Sequence, residues 1–362
     1  MYRGLVVLVA AFSLMAATAS AQGRGGGRGG GAAEAPRVLG PAPPLPQQPP
    51  GFVQPKTPWG DPDIQGFWPG VDTVGVPLQR PARFGTRNVL TDAEFSQRAK
   101  DIKEEEDSLV AEIDVFTAEI NPNCAIRCPT SPQPHWQETG KPSRQASLIV
   151  DPPDGRQPPL SAEGQTRQAQ QQADAAARRQ RLQGREADTY LDRSLYDRCI
   201  TRGVLGSILP VIYNNGNEIV QGPGFVVIRN EMIHEARVVP LDGRPALGPA
   251  FKQWVGDSRG HWDGDTLVVE TTNFTDRTNV GQARHSEKLK ITERYTRVDE
   301  DTLVLRLTAE DPDTWTAPWT LELPLQRDDG YGMFEYACHE GNYAMKNILT
   351  GARADDLAAA KK

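Results

Sequence analysis

Histidine and cysteine are scarce in this 362-residue sequence, with five His and four Cys. A sulfur or imidazole metal centre needs close ligand pairs. Cys124 and Cys128 make one such pair, and no second close Cys or His pair completes a site. No Gly-rich phosphate loop, nucleophile-elbow serine or dinucleotide fingerprint occurs, so no cofactor is expected. Long apolar runs are also missing. The longest, Leu5–Ala17, is about a dozen residues, short of the roughly 20 that span a bilayer, and none follows it. Positive charge is not in excess. The formal net charge is −7, which argues against nucleic acid and anionic membrane as partners.

What is present at the start is an export signal. Arg3 precedes the apolar run and Ala19-Ser20-Ala21 supplies small residues for cleavage, so residues 1–21 are read as a signal peptide. Its removal takes away Arg3 and moves the formal charge from −7 to −8. The mature chain is expected to be secreted or periplasmic. In an oxidising compartment an even cysteine count reads as two disulfides. Three pairings are open, and Cys124–Cys128 with Cys199–Cys338 is favoured.

Many of the 30 Pro and 34 Gly lie near the front. Residues 22–56 hold no core-forming pattern and are read as a disordered leader. Residues 57–194 are expected to form an extended and helical wrapping region. Within it, Thr91 and Glu94 make a capping box, with Leu90 and Phe95 as a hydrophobic staple, and predict a helix to about Asp114. Ser161 to about Gln183 lacks an apolar stripe and predicts an exposed helix. Residues 195–350 read as a β-domain, and 351–362 as a polar tail. Asp263-Gly264, Asp299-Glu300-Asp301 and Asp328-Asp329-Gly330 punctuate strand-like runs. The last of these turns joins Trp319–Arg327 to a strand over Tyr331–His339. The fold class is therefore mainly β (α+β): a C-terminal antiparallel barrel or sandwich with an N-terminal wrapping segment.

Period-two reading gives the candidate site. Read as one strand, Val226–Val239 puts Asn230, Met232 and His234 on the inner face and Arg237 on the outer one. A bulge near Asn230 would reverse everything beyond it. In Leu289–Val298 the inner positions are Leu289, Ile291, Glu293 and Tyr295. A carboxylate on an apolar face needs a partner, and His234 is the expected one. His234 and Glu293 are thus the candidate acid–base pair. Asn230, Met232, Tyr295, Trp319, His339 and Glu340 are candidate ligand contacts. Two His and two Glu could also hold a divalent metal, or the set could simply fix strand register. His135, His261 and His285 are read as loop or turn residues without chemistry.

The runs SLIVDPPDGRQPPL, EMIHEARVVPLDGRP, GDSRGHWDGDTLVVETTNF and EYACHEGNY resemble those of a widespread family of uncharacterised exported bacterial proteins. Gly66-Phe67-Trp68 also matches the G-x-W opening of lipocalin-like barrels. The resemblance implies export and a β-rich, lipocalin-like domain, and it brings no catalytic residue or cofactor. Three functions follow: a small-ligand-binding barrel, an enzyme using His234 and Glu293, or an interaction protein docking through residues 58–85.

Overall fold

Alternation of leucines builds the larger half of the molecule. In Thr302–Glu310, residues Leu303, Leu305, Leu307 and Ala309 all face inward. In Trp319–Gln326, so do Trp319, Leu321, Leu323 and Leu325. Burying each of these leucines contributes roughly 1.5–3 kcal/mol. The structure is a computed structural model describing residues 48–118, 137–280 and 283–361. The expected signal peptide, most of the leader, His135 and the Cys124–Cys128 pair lie outside the described residues.

The strands are β1 (Gly66–Phe67), β2 (Ile149–Asp151), β3 (Asn217–Gly222), β4 (Phe225–Asn230), β5 (Ala236–Pro240), β6 (Asp257–Asp263), β7 (Thr266–Thr272), β8 (Asn279–Val280), β9 (Ala283–Arg284), β10 (Lys290–Arg297), β11 (Thr302–Glu310) and β12 (Trp319–Gln326). The helices are α1 (Asp92–Ala118), α2 (Ala162–Leu182), α3 (Gly203–Ile208), α4 (Cys338–Gly341) and α5 (Tyr343–Ala359). One antiparallel sheet runs β2-β12-β11-β10-β7-β6 and a second β1-β3-β4-β5, with β8 and β9 as a small pair. The fold is α+β and mainly β.

Both sheets feed one apolar cluster, in which Ile219, Val226, Ile228 and Val239 join the leucines of β11 and β12. The expected closed barrel is not formed: no ladder joins β5 to β6 among the described residues. The connector between them, residues 241–256, contains Pro245 and Pro249, which cannot donate to a ladder. It folds back instead, with Leu247 N–H donating to Asp257 Oδ2 and Asn273 Nδ2 donating to Leu247 O. The two strands meet through side chains. A Cβ on Gly260 would stand 2.7 Å from Val239 Cγ1 and Leu241 Cδ2, so only glycine admits this approach.

The capping box of α1 is present. Thr91 N–H donates to Glu94 Oε2 and Glu94 N–H to Thr91 Oγ1, while Leu90 and Phe95 pack with Phe84. Ser161 caps the exposed α2 through Gly164 N–H. Part of the wrapping region joins the core: Ile64, Trp68 and Val76 are in the shared cluster, and Trp68 Nε1–H donates to Ile64 O at 2.9 Å. Part of the expected loose leader is also engaged. Gln48 donates to Arg297 O and Gln54 to Asp63 O. The strand expected over Tyr331–His339 is irregular up to α4. Its Tyr331 Oη lies 2.7 Å from both Glu138 Oε1 and Glu231 Oε2, and Phe334 N–H donates to Glu231 Oε1. The segment is thus held by side-chain acceptors in place of a ladder. Among the described residues, no helix is long and apolar enough to cross a membrane.

Candidate functional site

The stretch expected as one strand, Val226–Val239, is a hairpin. β4 and β5 pair antiparallel, with Ile228 opposite Arg237. Between them Met232–His234 form a 3-10 turn in which Ile233 has φ 59 and His234 φ 46. The turn reverses the face pattern. Asn230 is inward on β4 as expected, but on β5 the inward residues are Arg237 and Val239.

This reversal corrects the proposed His234–Glu293 pair. Glu293 is inward on β10, as its alternation implies, but its partner is Arg237. The guanidinium donates Nη1–H to Oε2 at 2.6 Å and Nη2–H to Oε1 at 2.8 Å. Tyr295 Oη–H donates to Glu293 Oε1 at 2.7 Å. Burial alone would pull the Arg237 pKa down, yet the Glu293 charge and hydrogen bonds raise it. Burial first, then the Glu293 charge, pushes the Tyr295 phenol well up. These three side chains form one hydrogen-bonded unit inside the core.

His234 points the other way and is exposed. Its Nδ1 lies 2.9 Å from Tyr336 O. A carbonyl only accepts, so Nδ1 carries the proton, and in the neutral ring Nε2 is the acceptor. The other expected contacts scatter. Asn230 is buried and donates to Asn217 Oδ1. Trp319 packs edge-to-face on Trp315 in the core. His339 and Glu340 are exposed on α4. Met232 alone lies at a new cluster, its Sδ 3.8 Å from Tyr196 Oη. The two-His, two-Glu metal site does not assemble among the described residues.

The cluster missed from sequence is a chain of three phenols. Tyr196 Oη lies 2.6 Å from Tyr213 Oη and 3.0 Å from Tyr336 Oη. Burial is the first cause raising all three pKa values, Tyr213 to about 12, so each is neutral at ordinary pH. The expected Cys199–Cys338 disulfide is present, with Cα atoms 5.7 Å apart, and it fixes Tyr336 beside Tyr196. Cys199, Asn214, Ile233 and His234, all of positive φ, flank these residues in sequence. Asparagine and histidine tolerate that conformation, but for β-branched Ile233 it is an outlier costing about 1–3 kcal/mol. The surroundings impose it, and with it the inward Met232 and outward His234.

Next to the phenols lies Arg202. Its Cζ is 4.9 Å from the Tyr196 ring centroid, and its Nη1 is enclosed without a hydrogen-bond partner among the described residues. Arg202 lines a cleft of about 330 Å³ together with Val76, Leu148, Leu209, Val211 and Asn279. A second cleft, of about 220 Å³, adjoins Arg80 and Arg306. There Arg80 already donates to Ser147 Oγ, Pro153 O, Asn88 Oδ1 and Ile149 O, and Arg306 to Glu322. The Arg202 cleft is therefore the better candidate.

Glu235 positions Arg202. It accepts from Thr201 Oγ1 at 2.8 Å and Ser207 Oγ at 2.9 Å, one on each side of Arg202 in sequence. Burial pushes the Glu235 carboxyl above its usual 4.5, against the hydroxyls and the charges of Arg237 and His234. A folded value above the unfolded one means the fold binds this proton more tightly. The resulting stabilisation is full below about 4.5 and is lost as pH rises through the folded value. Glu235→Gln is expected to flatten the fall in unfolding free energy above that pH, measured by urea unfolding at several pH values. An unchanged slope would refute the assignment.

No family model matches the chain, and neither a curated protein nor a solved structure matches it.

Proposed function

We propose that the chain is an exported small-ligand-binding protein whose ligand sits in the Arg202 cleft. The observation that carries this is a cleft of about 330 Å³ with apolar side chains and a single guanidinium on its walls. Small-molecule sites run roughly 300–1,000 Å³, largely apolar, with a few fixed polar groups. Export is supported by the Cys199–Cys338 bond, of a kind that persists in oxidising compartments. On this reading the two sheets are a sandwich-like scaffold packed on one core, and the ligand lies outside that core. The acid–base alternative loses its pair, because Glu293 belongs to Arg237 and His234 to Tyr336. The docking alternative loses Ile64, Trp68 and Val76 to the core.

The test is a titration of the full mature chain with the neutral fluorescent reporter N-phenylnaphthylamine. Saturable binding at one site is expected. Val211→Trp, a half-buried wall position, should fill the cleft and weaken binding at least tenfold. Equal binding by this variant, or no saturable binding by the parent chain, would overturn the reading.

A further inference from the structure

We infer that the Arg202 cleft selects a small organic monoanion, a carboxylate head on a short apolar body. The inference rests on the cleft being the binding site. Its own observation is the state of the one charge there.

Arg202 is always protonated in a protein, and no carboxylate pairs with it among the described residues. Its Nη1 has no acceptor. The ring of Tyr196 beneath the guanidinium holds it in place through its π-face, but a π-face is no substitute for an anionic acceptor. Three phenols stand around it, and all are neutral, so none supplies a counter-charge. The Glu235 carboxylate, which fixes the residues on either side, is engaged by Thr201 and Ser207. A cation half withdrawn from water without a partner is unfavourable. An anion entering the cleft would offset that cost.

The shape of the charge narrows the ligand. A small rotation of Arg202 that brings its enclosed Nη1 to the cleft would present parallel N–H groups that match a carboxylate bidentately. Val76, Leu148, Leu209 and Val211 then face the rest of the ligand, so the body should be apolar. A cationic head would meet Arg202 as a like charge. A neutral amide head would keep the shape but lose the charge-assisted bond, a difference of roughly tenfold in affinity.

The experiment is displacement of N-phenylnaphthylamine from the full mature chain by hexanoate, hexanamide and hexylammonium, repeated with Arg202→Met and Arg202→Lys. The ratio of the hexanamide to hexanoate constants is confirmed by calorimetry, and folding of each variant by its melting curve. Hexanoate should displace at roughly tenfold lower concentration than hexanamide, with hexylammonium weakest. In Arg202→Met the hexanamide-to-hexanoate ratio should fall to about one. Arg202→Lys, which keeps the charge and loses the fork, should fall between. Equal displacement by all three compounds would overturn the charge assignment while leaving the cleft as the site. A preference for hexanoate that persists in Arg202→Met would also overturn it, because the anion would then be held elsewhere. Failure of the reporter to bind the parent chain removes both readings.

Discussion

Replacing Glu293 by Ala is expected to lower the unfolding free energy by roughly 3–5 kcal/mol, the cost of leaving a buried charge unpaired. Arg237 and Glu293 have side chains only 4% and 0% exposed. Neither can turn to water when its partner is lost. Tyr295 adds a third member, since its hydroxyl also loses its acceptor. The pair itself is a different matter. Removing both charges with Arg237→Met and Glu293→Leu should cost far less than Glu293→Ala alone, because desolvation of the two ions largely cancels their attraction. Chemical denaturation of the single and double variants, compared in one cycle, measures this. A loss below about 1 kcal/mol in Glu293→Ala would show that water reaches Arg237, and the description of a dry pair would be wrong.

Joint replacement of Cys199 and Cys338 by Ala should cost roughly 2–5 kcal/mol. The bond joins residues 139 apart in sequence, and constraint of the unfolded chain grows with loop length. A local effect should accompany the global one. The segment after β12 has no ladder and is held by the disulfide, the Tyr331 and Tyr336 hydroxyls and Asn342, which donates to Asp197 O. Without the bond, limited proteolysis should cut first between Tyr331 and α5. A variant with parental stability and an unchanged cleavage pattern would show that the other contacts suffice.

Local rules made much of this structure readable in advance. Thr91 and Glu94 lie three apart, so the cap of α1 needed no distant residue. The leucines of β11 and β12 alternate without interruption, and their faces followed. Glu293 and Tyr295 were placed inward by the same parity, and the far-apart Cys199 and Cys338 were paired correctly. The failures have a common cause. EMIHE, residues 231–235, contains no Gly, Pro or Asn to announce a turn, and positive φ at Ile233 is imposed by packing. One unannounced turn was enough to send Arg237 inward and His234 out. Tyr331–His339 has the aromatics of a strand, but a strand needs a neighbour, and here Glu231 takes the backbone N–H of Phe334. The phenol chain joins Tyr196, Tyr213 and Tyr336, and no periodicity links residues so far apart. Arg202 carries no local signal at all, since its meaning lies in the acceptors it does not have.

The Cys199–Cys338 bond turns part of the chain into a covalent ring. Of the twelve strands among the described residues, ten, β3 to β12, lie inside that ring. The two outside it, β1 and β2, are short, and each occupies one edge of a sheet. The wrapping segment thus supplies a selvedge for each fabric. It covers the open rims of β3 and β12, where exposed N–H and C=O groups would otherwise invite another chain to pair. A protease that trimmed the chain away between β2 and Cys199 would leave the ring closed and both rims bare. Self-association through the bared rims would then accompany the loss of Ile64, Trp68 and Val76 from the core.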